Sequence, residues 1–496
     1  MEVVWISQST RANYVTTHLY NGQESHIPYK KGEISEFDNH TFMDTTPLAS
    51  SVTYSPRAML VDFRDNWGSL NKFEYFDRGD GSDVVAVGST PDHFRRHFPE
   101  KHPYQVSLDQ GTTTEGKLNS GNVKYWSDFN KLIYNPRQLI SVPDYVSDPE
   151  RPGRGIHRYF AKNRFDAYHK GVEQYQQTRD DADDAFRHML ESCDSFQGLQ
   201  VASEVDSSWG GFTSALTTDV VDEYFNNNNK VTLWTWDMSS SDLRLDPLTR
   251  ISKIRSAVEH ISVSSLVFRV EPHWKLEQLG AAFDPQSLWH SSAIVSAWIN
   301  GIWGVINKSS RPTSMSNLED AVTKGTKRNV INRLAMDISK ETESNTGGVD
   351  LNGLSSMPMD VDLSTFTAAP VAENKATSTT VELGINQGKA KTVYSSNYIN
   401  NDVEGANCYT HPNLNEMTKI DSFPQGVLSS INWLEFSSTS ELSVGLKQDR
   451  VFLQRSRGYP GIDLEVDDTG ELIEQLSAII DEYSDGNDDS DDDWDD

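Results

Sequence analysis

Apolar residues along this chain fall into short unbroken runs separated by longer stretches of three- and four-residue spacing, the pattern of buried strands alternating with helices. The chain opens on such a run at 3–6, followed by a turn and the start of a helix around 13–20. Tyr54-Ser55-Pro56-Arg57 precedes a second run, Ala58-Met59-Leu60-Val61-Asp62-Phe63, again of buried-strand type. Residues 77–122, rich in Gly, Thr, Asp and Ser, read as a loop insertion. Phe165, Tyr168, Val172 and Tyr175, then Ala182, Ala185, Phe186, Met189 and Leu190, recur on one helical face. From there the pattern predicts a strand at 199–203, a helix at 212–225, a polar turn at 226–229 and a strand at 231–236. A helix at 250–260, a strand at 263–270 and an apolar helix at 290–303 follow.

Strands alternating with helices mean a mainly parallel, Rossmann-type α/β sheet, expected over residues 1–270. A smaller α+β region is expected at 271–484, with a Ser/Thr/Asn-rich insertion at about 341–415. A last helix carries Leu472, Ile473, Leu476, Ile479, Ile480 and Tyr483 on one face, expected to dock on the protein's own core, and Asp468 with Glu471 reads as its capping box.

Composition changes this picture at one end. The 496 residues carry a net charge of −29, which argues against nucleic acid or an anionic membrane surface as a general partner. The charge is uneven: no Lys or Arg follows Arg457, whereas sixteen Asp and Glu do. Residues 485–496 are therefore expected to form a disordered, self-repelling acidic tail. Two cysteines, Cys193 and Cys408, form neither a disulfide framework nor a metal-binding spacing, which fits a reducing compartment. No apolar run approaches the length of a membrane span, and the N-terminus has neither a secretory nor a mitochondrial leader pattern. The expectation is a protein of the cytosol or of the cytosolic face of an organelle.

The chemistry concentrates in 191–224, ESCDSFQGLQVASEVDSSWGGFTSALTTDVVDEY. A strand-to-helix turn binds phosphate when backbone N–H groups converge on the anion and glycines allow close approach. Here Asp206 would set a carboxylate beside phosphate oxygens, and Trp209 and Phe212 add bulk. Gly210 and Gly211 with Ser207, Ser208 and Thr213 are the residues from which a smaller anion nest could be built; an ordinary turn is the expected reading. His93 and His97, with His102 nearby, have the spacing of zinc ligands on a helix but no completing Cys or acid, so no metal is expected. Arg95, Arg96 and Lys101 make the same stretch a basic patch. Asp180, Asp181, Asp183 and Asp184 read as the wet side of the helix whose other side carries Phe186 and Met189. No G-x-S-x-G, Walker-type loop, Cys-His pair or HExxH run is present.

These motifs resemble tubulins. Glu191-Ser192-Cys193-Asp194 and Gln197-Gly198-Leu199-Gln200 are similar to ESCDCLQGFQ, but the GGGTGSG that follows it in tubulins is replaced. YSPRAMLVD at 54–62 resembles YVPRAILVD, WHSSAIVSAWINGIWG at 289–304 resembles GDLNHLVSATMSGVTT, and VVWISQSTRAN at 3–13 resembles IVHIQAGQCGN. Together they span roughly the first 335 residues in the same order. Trp126-Ser127-Asp128-Phe129 followed by Asn135-Pro136-Arg137 is closer still to the Misato/Dml family, which has this segment where tubulins do not. The resemblance implies a tubulin/FtsZ-like fold and a role in mitochondrial distribution, morphology and mitochondrial DNA inheritance, at the mitochondrion and in the cytoplasm. Carried over by residue, it implies loss of the nucleotide site: Ser9 and Thr10 replace Gly-Gln while Asn13 is kept, and Asp62 is kept while the next acid is Arg64. Thr249 and the neighbourhood of Pro272 stand where guanine-contacting asparagines would be, and Asp320 where an activating acid would be.

The leading expectation is a non-enzymatic, tubulin-like protein with no cofactor, GTP included, acting through protein partners: mitochondrial outer-surface proteins, tubulin or chaperonin. The alternatives are a GTP-binding switch or polymerising GTPase, and an assembly factor associated with tubulin or chaperonin.

Overall fold

The computed structural model describes residues 1–29, 32, 34–47, 52–70, 99–151, 153–160, 162–225, 231–239, 246–271, 279, 282–337, 356–360, 379–385, 407–411, 413–428, 431, 433–438, 442–456 and 466–484. β1 (Glu2–Gln8) leads into α1 (Thr10–Glu24), and a hairpin of β2 (Met43–Pro47) and β3 (Val52–Pro56) precedes β4 (Ala58–Phe63). Next come α2 (Pro103–Gln110), β5 (Leu139–Val142), a small hairpin of β6 (Tyr145–Ser147) and β7 (Gly155–His157), and α3 (Tyr168–Glu191). β8 (Phe196–Glu204), α4 (Trp209–Tyr224), β9 (Leu233–Met238), α5 (Pro247–Val263) and β10 (Leu266–Val270) continue the alternation. They are followed by α6 (Leu288–Ile306), α7 (Met315–Thr323) and β11 (Val330–Ile331). The remaining elements are β12 (Arg333–Asp337), β13 (Ser356–Asp360), β14 (Thr379–Ile385), β15 (Asn407–His411), β16 (Trp433–Ser438), α8 (Leu442–Ser456) and α9 (Val466–Tyr483).

Seven parallel strands form the main sheet in the order β11-β10-β9-β8-β1-β4-β5. Both faces are covered, so the strands read as continuous apolar runs rather than alternating ones. Val3, Trp5, Leu60, Trp234 and Trp236 face α1 and α6, whereas Val4, Ile6, Met59, Val61, Leu199 and Val201 face α3 and α4. On the first face Trp303 meets Trp5 edge-on at 5.2 Å and stacks on Phe42 at 3.9 Å. The indole N–H groups of Trp236 and Trp303 both donate to Oε1 of buried Gln200, at 3.2 and 3.1 Å. Two large apolar rings thereby bury without leaving a donor unpaired.

A second sheet, ordered β13-β12-β16-β14-β15, packs on α6: Leu334, Met336, Leu434 and Phe436 join the same core as Trp298 and Ile302. On the opposite face α8 and α9 cover α5, with Leu472, Leu476, Ile480 and Tyr483 against Ile254, Val258 and Ile261. α9 begins at Val466, so Asp468 lies inside its first turn rather than capping it. Among the described residues no helix is long and apolar enough to cross a membrane.

Two further stretches differ from the sequence reading. Part of the expected loop at 77–122 is the helix α2, signalled by Pro103 in its first turn and by Gly111 (φ 61°) at its end. His102 caps it, Nδ1 accepting the Tyr104 N–H at 3.1 Å. Phe165, expected in the long helix, precedes α3 and packs against Phe63 and Trp209. The Trp126–Phe129 turn braces α1: Trp126 meets Trp67 and Tyr134 edge-on, and Phe129 lies 4.5 Å from His18. The side-chain amide of Gln105 in α2 donates to the carbonyls of Ser127, Asp128 and Asn130.

Candidate functional site at the carboxyl ends of β1 and β8

From β1 the chain runs to β4 and β5 on one side, then returns to build β8, β9 and β10 on the other. In such a sheet the strand order reverses between β1 and β8, and the crevice outside their carboxyl ends is where α/β folds place ligands. Ser9, Thr10, Asn13, Asp62 and 204–213 all gather there.

Ser9 joins β1 to α1 with φ 118° and ψ 156°. This backbone region is essentially confined to glycine. The position is one at which the resembling tubulin motif has glycine. Two local bonds hold it: Ser9 N–H donates to the Val61 carbonyl at 3.2 Å, and Ser9 Oγ accepts the Ala12 N–H at 3.1 Å.

Asp62, at the end of β4, is fully buried and fully engaged. One carboxylate oxygen accepts from Thr10 Oγ1 (3.0 Å), Asn66 Nδ2 (3.0 Å) and the Phe63 N–H (2.8 Å); the other accepts from Asn13 Nδ2 at 2.8 Å. Burial pushes its carboxyl up to about 6 against the opposing pull of these four donors. Asn13 is held in turn by Ser7 Oγ, which donates to its Oδ1 at 2.7 Å. Arg64, beyond the strand end, donates to the Pro143 carbonyl at 3.4 Å.

The β8–α4 turn carries two buried carboxylates, each with an arginine. Glu204 lies 2.9 Å from Arg11 Nε; burial raises its carboxyl, and Arg11 and Arg154 oppose the rise. Asp206 is paired with Arg154, one guanidinium nitrogen 2.9 Å from Oδ2 and the other donating to the Asp206 carbonyl at 2.9 Å. Arg154 enters from the β6–β7 hairpin, so the crevice is closed by a bond between segments distant in sequence. Two positive and two negative groups balance locally. A phosphate placed here would face both carboxylates after their desolvation has already been offset from within.

Gly210 and Gly211 do not form an anion nest. They lie in α4, and their missing Cβ atoms make room for neighbours: a Cβ on Gly210 would stand 2.1 Å from Ser256 Oγ, and one on Gly211 2.0 Å from the Tyr168 carbonyl. Gly171 of α3 answers them, its would-be Cβ 1.8 Å from the Ser208 carbonyl. These glycines set helix spacing. Trp209 is buried against Phe63 and Phe165, each ring centroid 5.1 Å away. Ser207 Oγ accepts the Trp209 N–H at 3.4 Å, and the Ser208 N–H donates to the Phe165 carbonyl at 3.4 Å. Thr213 Oγ1 bonds Gln8 Oε1, Ser203 Oγ and the Trp209 carbonyl.

The other candidates lie elsewhere. Thr249 donates to Asp246, the N-cap of α5. Asp320 is exposed on α7, whose first residue, Met315, donates its N–H to Gln197 near the start of β8, at the opposite end of the sheet. Asp183 accepts from the Tyr224 hydroxyl and Asp184 pairs with Arg187. His93, His97, Arg95, Arg96, Pro272 and the acidic tail lie outside the described residues. Arg57 of the YSPR run donates to Ser192 Oγ (2.7 Å) and Cys193 Sγ (3.3 Å), so two of the resemblance motifs meet. Sequence reading assigned no role to Arg11, Asn66, Arg154 or Glu204, although Arg11 and Glu204 lie inside the runs at 3–13 and 191–224; only a buried-strand end rich in acids hinted at a need for cations.

The family model described as a tubulin domain matches residues 115–303, and that described as the Misato segment II tubulin-like domain matches residues 1–110. Protein DML1 of Debaryomyces hansenii is 31% identical, covering 100% of this chain and 99% of its own length. Protein DML1 of Scheffersomyces stipitis is 30% identical over the same shares, and that of Candida albicans 29% identical over 99% of this chain and 100% of its own. The fold is thus tubulin-like in its α/β sheet.

Proposed function

This chain belongs to the Misato/DML1 family of tubulin-like proteins, and we propose that it is a non-enzymatic member whose nucleotide crevice is filled by its own side chains. It acts in the distribution and morphology of mitochondria and in inheritance of their DNA, by binding protein partners at the mitochondrial surface and in the cytoplasm. The observation that supports this reading best is the Arg154–Asp206 pair beside Glu204–Arg11. A carboxylate of the chain stands where the resembling motif has a phosphate-binding loop. Asp62 supports it too, since four protein donors already occupy its oxygens.

The experiment is the nucleotide content of the purified protein, read by denaturing it and chromatographing the supernatant, with titration of fluorescent GTP in Mg²⁺. No nucleotide and no saturable binding are expected. Stoichiometric guanine nucleotide would overturn the reading in favour of a GTP-dependent switch. One observation favours that second reading: Ser9 keeps a glycine backbone conformation, and with it the outline of a nucleotide-binding turn.

A further inference from the structure

The β6–β7 hairpin and the turn after it present an unusual surface for so acidic a chain. Tyr159 and Phe160, adjacent in sequence, are 64% and 66% exposed. The turn is closed by backbone bonds: Phe160 N–H to the His157 carbonyl (3.1 Å), Asn163 N–H to the Phe160 carbonyl (2.7 Å) and His157 N–H to the Asn163 carbonyl (2.8 Å). The aromatic pair is therefore held out by a preorganised turn. His157 packs beneath Phe160, ring centroids 5.1 Å apart.

Exposed cations flank the pair along the turn: Arg158, Lys162 and Arg164. Among the described residues none of the three has a carboxylate within salt-bridge distance, although the neighbouring Lys170 is paired with Asp166. Asp144 adjoins the turn: its carbonyl accepts the Arg158 N–H at 3.0 Å, and against the effect of burial its carboxyl is drawn down in part by the Arg158 charge. The Arg158 guanidinium lies 4.4 Å from the centre of the Tyr159 ring. That stacking keeps a positive charge at the aromatic tip.

We propose that this turn is a peripheral membrane-contact site, with Tyr159 and Phe160 entering the headgroup region of an anionic bilayer and the three cations meeting its phosphates. Tyrosine, with one polar edge, favours the bilayer interface, phenylalanine the apolar side of it, and basic residues beside them add attraction to anionic lipid. The whole-chain charge of −29 does not oppose this locally. Interactions beyond about 8 Å are screened at physiological salt, so the charge within reach of the bilayer is that of the turn, three cations against the one carboxylate of Asp144 beside it. The site deepens the proposed function and rests on its mitochondrial-surface part: it attaches a chain in which no described helix can span a membrane.

The test is flotation of the full-length protein with vesicles of phosphatidylcholine alone or mixed with phosphatidylserine. Binding only to the anionic vesicles, reversed by added salt, is expected. Arg158→Ser and Lys162→Ser should each lower partitioning about fivefold, and Tyr159→Ser with Phe160→Ser should abolish it at unchanged unfolding midpoint, since all four side chains are exposed. No preference for anionic vesicles, or equal binding by the variants, would overturn the proposal. So would a protein that ignores vesicles but binds, through this turn, a peptide of its own residues 485–496, which would make the surface a dock for acidic protein segments. Imaging the same variants in cells separates the two readings: vesicle binding without mitochondrial association sinks the proposed function alone, whereas mitochondrial association unaffected by the variants sinks this site alone.

Discussion

Ser9 offers a test in which two small substitutions should move stability in opposite directions. Its φ of 118° and ψ of 156° lie in a region nearly closed to residues with a Cβ, at a cost of about 1–3 kcal/mol. Its hydroxyl caps α1 through the Ala12 N–H, a contact worth about 1 kcal/mol relative to alanine. Ser9→Ala keeps the strain and loses the cap, so it should destabilise by about 1 kcal/mol. Ser9→Gly removes the strain. Against this stand a few tenths of a kcal/mol for the weaker cap and about 0.4–1 kcal/mol for the freer unfolded chain. The balance is a net stabilisation of about 1 kcal/mol. Equilibrium urea unfolding followed by tryptophan fluorescence would read it as midpoints shifted to either side of wild type at constant slope. If Ser9→Gly falls below wild type alongside Ser9→Ala, the turn is not held against its preference and the reasoning fails.

Asp62 should impose a pH dependence. Its carboxyl is raised by burial from 3.8 to about 6, so the folded chain holds that proton more tightly than the unfolded one. The stabilisation is complete below about pH 4 and is lost as pH rises through about 6, amounting to roughly 3 kcal/mol. Asp62→Asn should remove this, the wild type gaining by that amount over the variant when unfolding is compared at about pH 7 and pH 4. A pH-independent difference would contradict it. Arg154→Ala takes the guanidinium away from the buried Asp206 carboxylate and should cost roughly 3 kcal/mol, with Asp206→Asn in the same chain recovering part of the loss; additive losses in the double-mutant cycle would show that the pair is not coupled. Gly171→Ala drives a Cβ against the Ser208 carbonyl, a backbone atom that cannot rotate away. A loss of about 3 kcal/mol is expected in the same urea assay, and a change within error of zero would refute the close α3–α4 approach.

Strand and helix identities were legible because they depend on local periodicity. The runs at 3–6 and 58–63 became β1 and β4, and the face carrying Leu472, Leu476, Ile480 and Tyr483 became the docked side of α9. The α2 helix was missed although Pro103 and Gly111 signal its ends, because its short apolar pattern is weak.

What could be read from the sequence alone is the alternation of the main sheet's central strands and helices, the tubulin-like family pattern and the replacement of the phosphate-loop glycines. Those properties belong to single residues and their near neighbours, so a linear reading reaches them. Tertiary structure alone decided what fills the crevice. Arg154 and Asp206 are 52 residues apart, and nothing local to either says that they meet. It also decided that Gly210 and Gly211 serve helix packing, because a glycine's role depends on which backbone approaches it. Burial and partner choice are properties of the folded chain, and the exposure of Tyr159 and Phe160 is the same kind of fact.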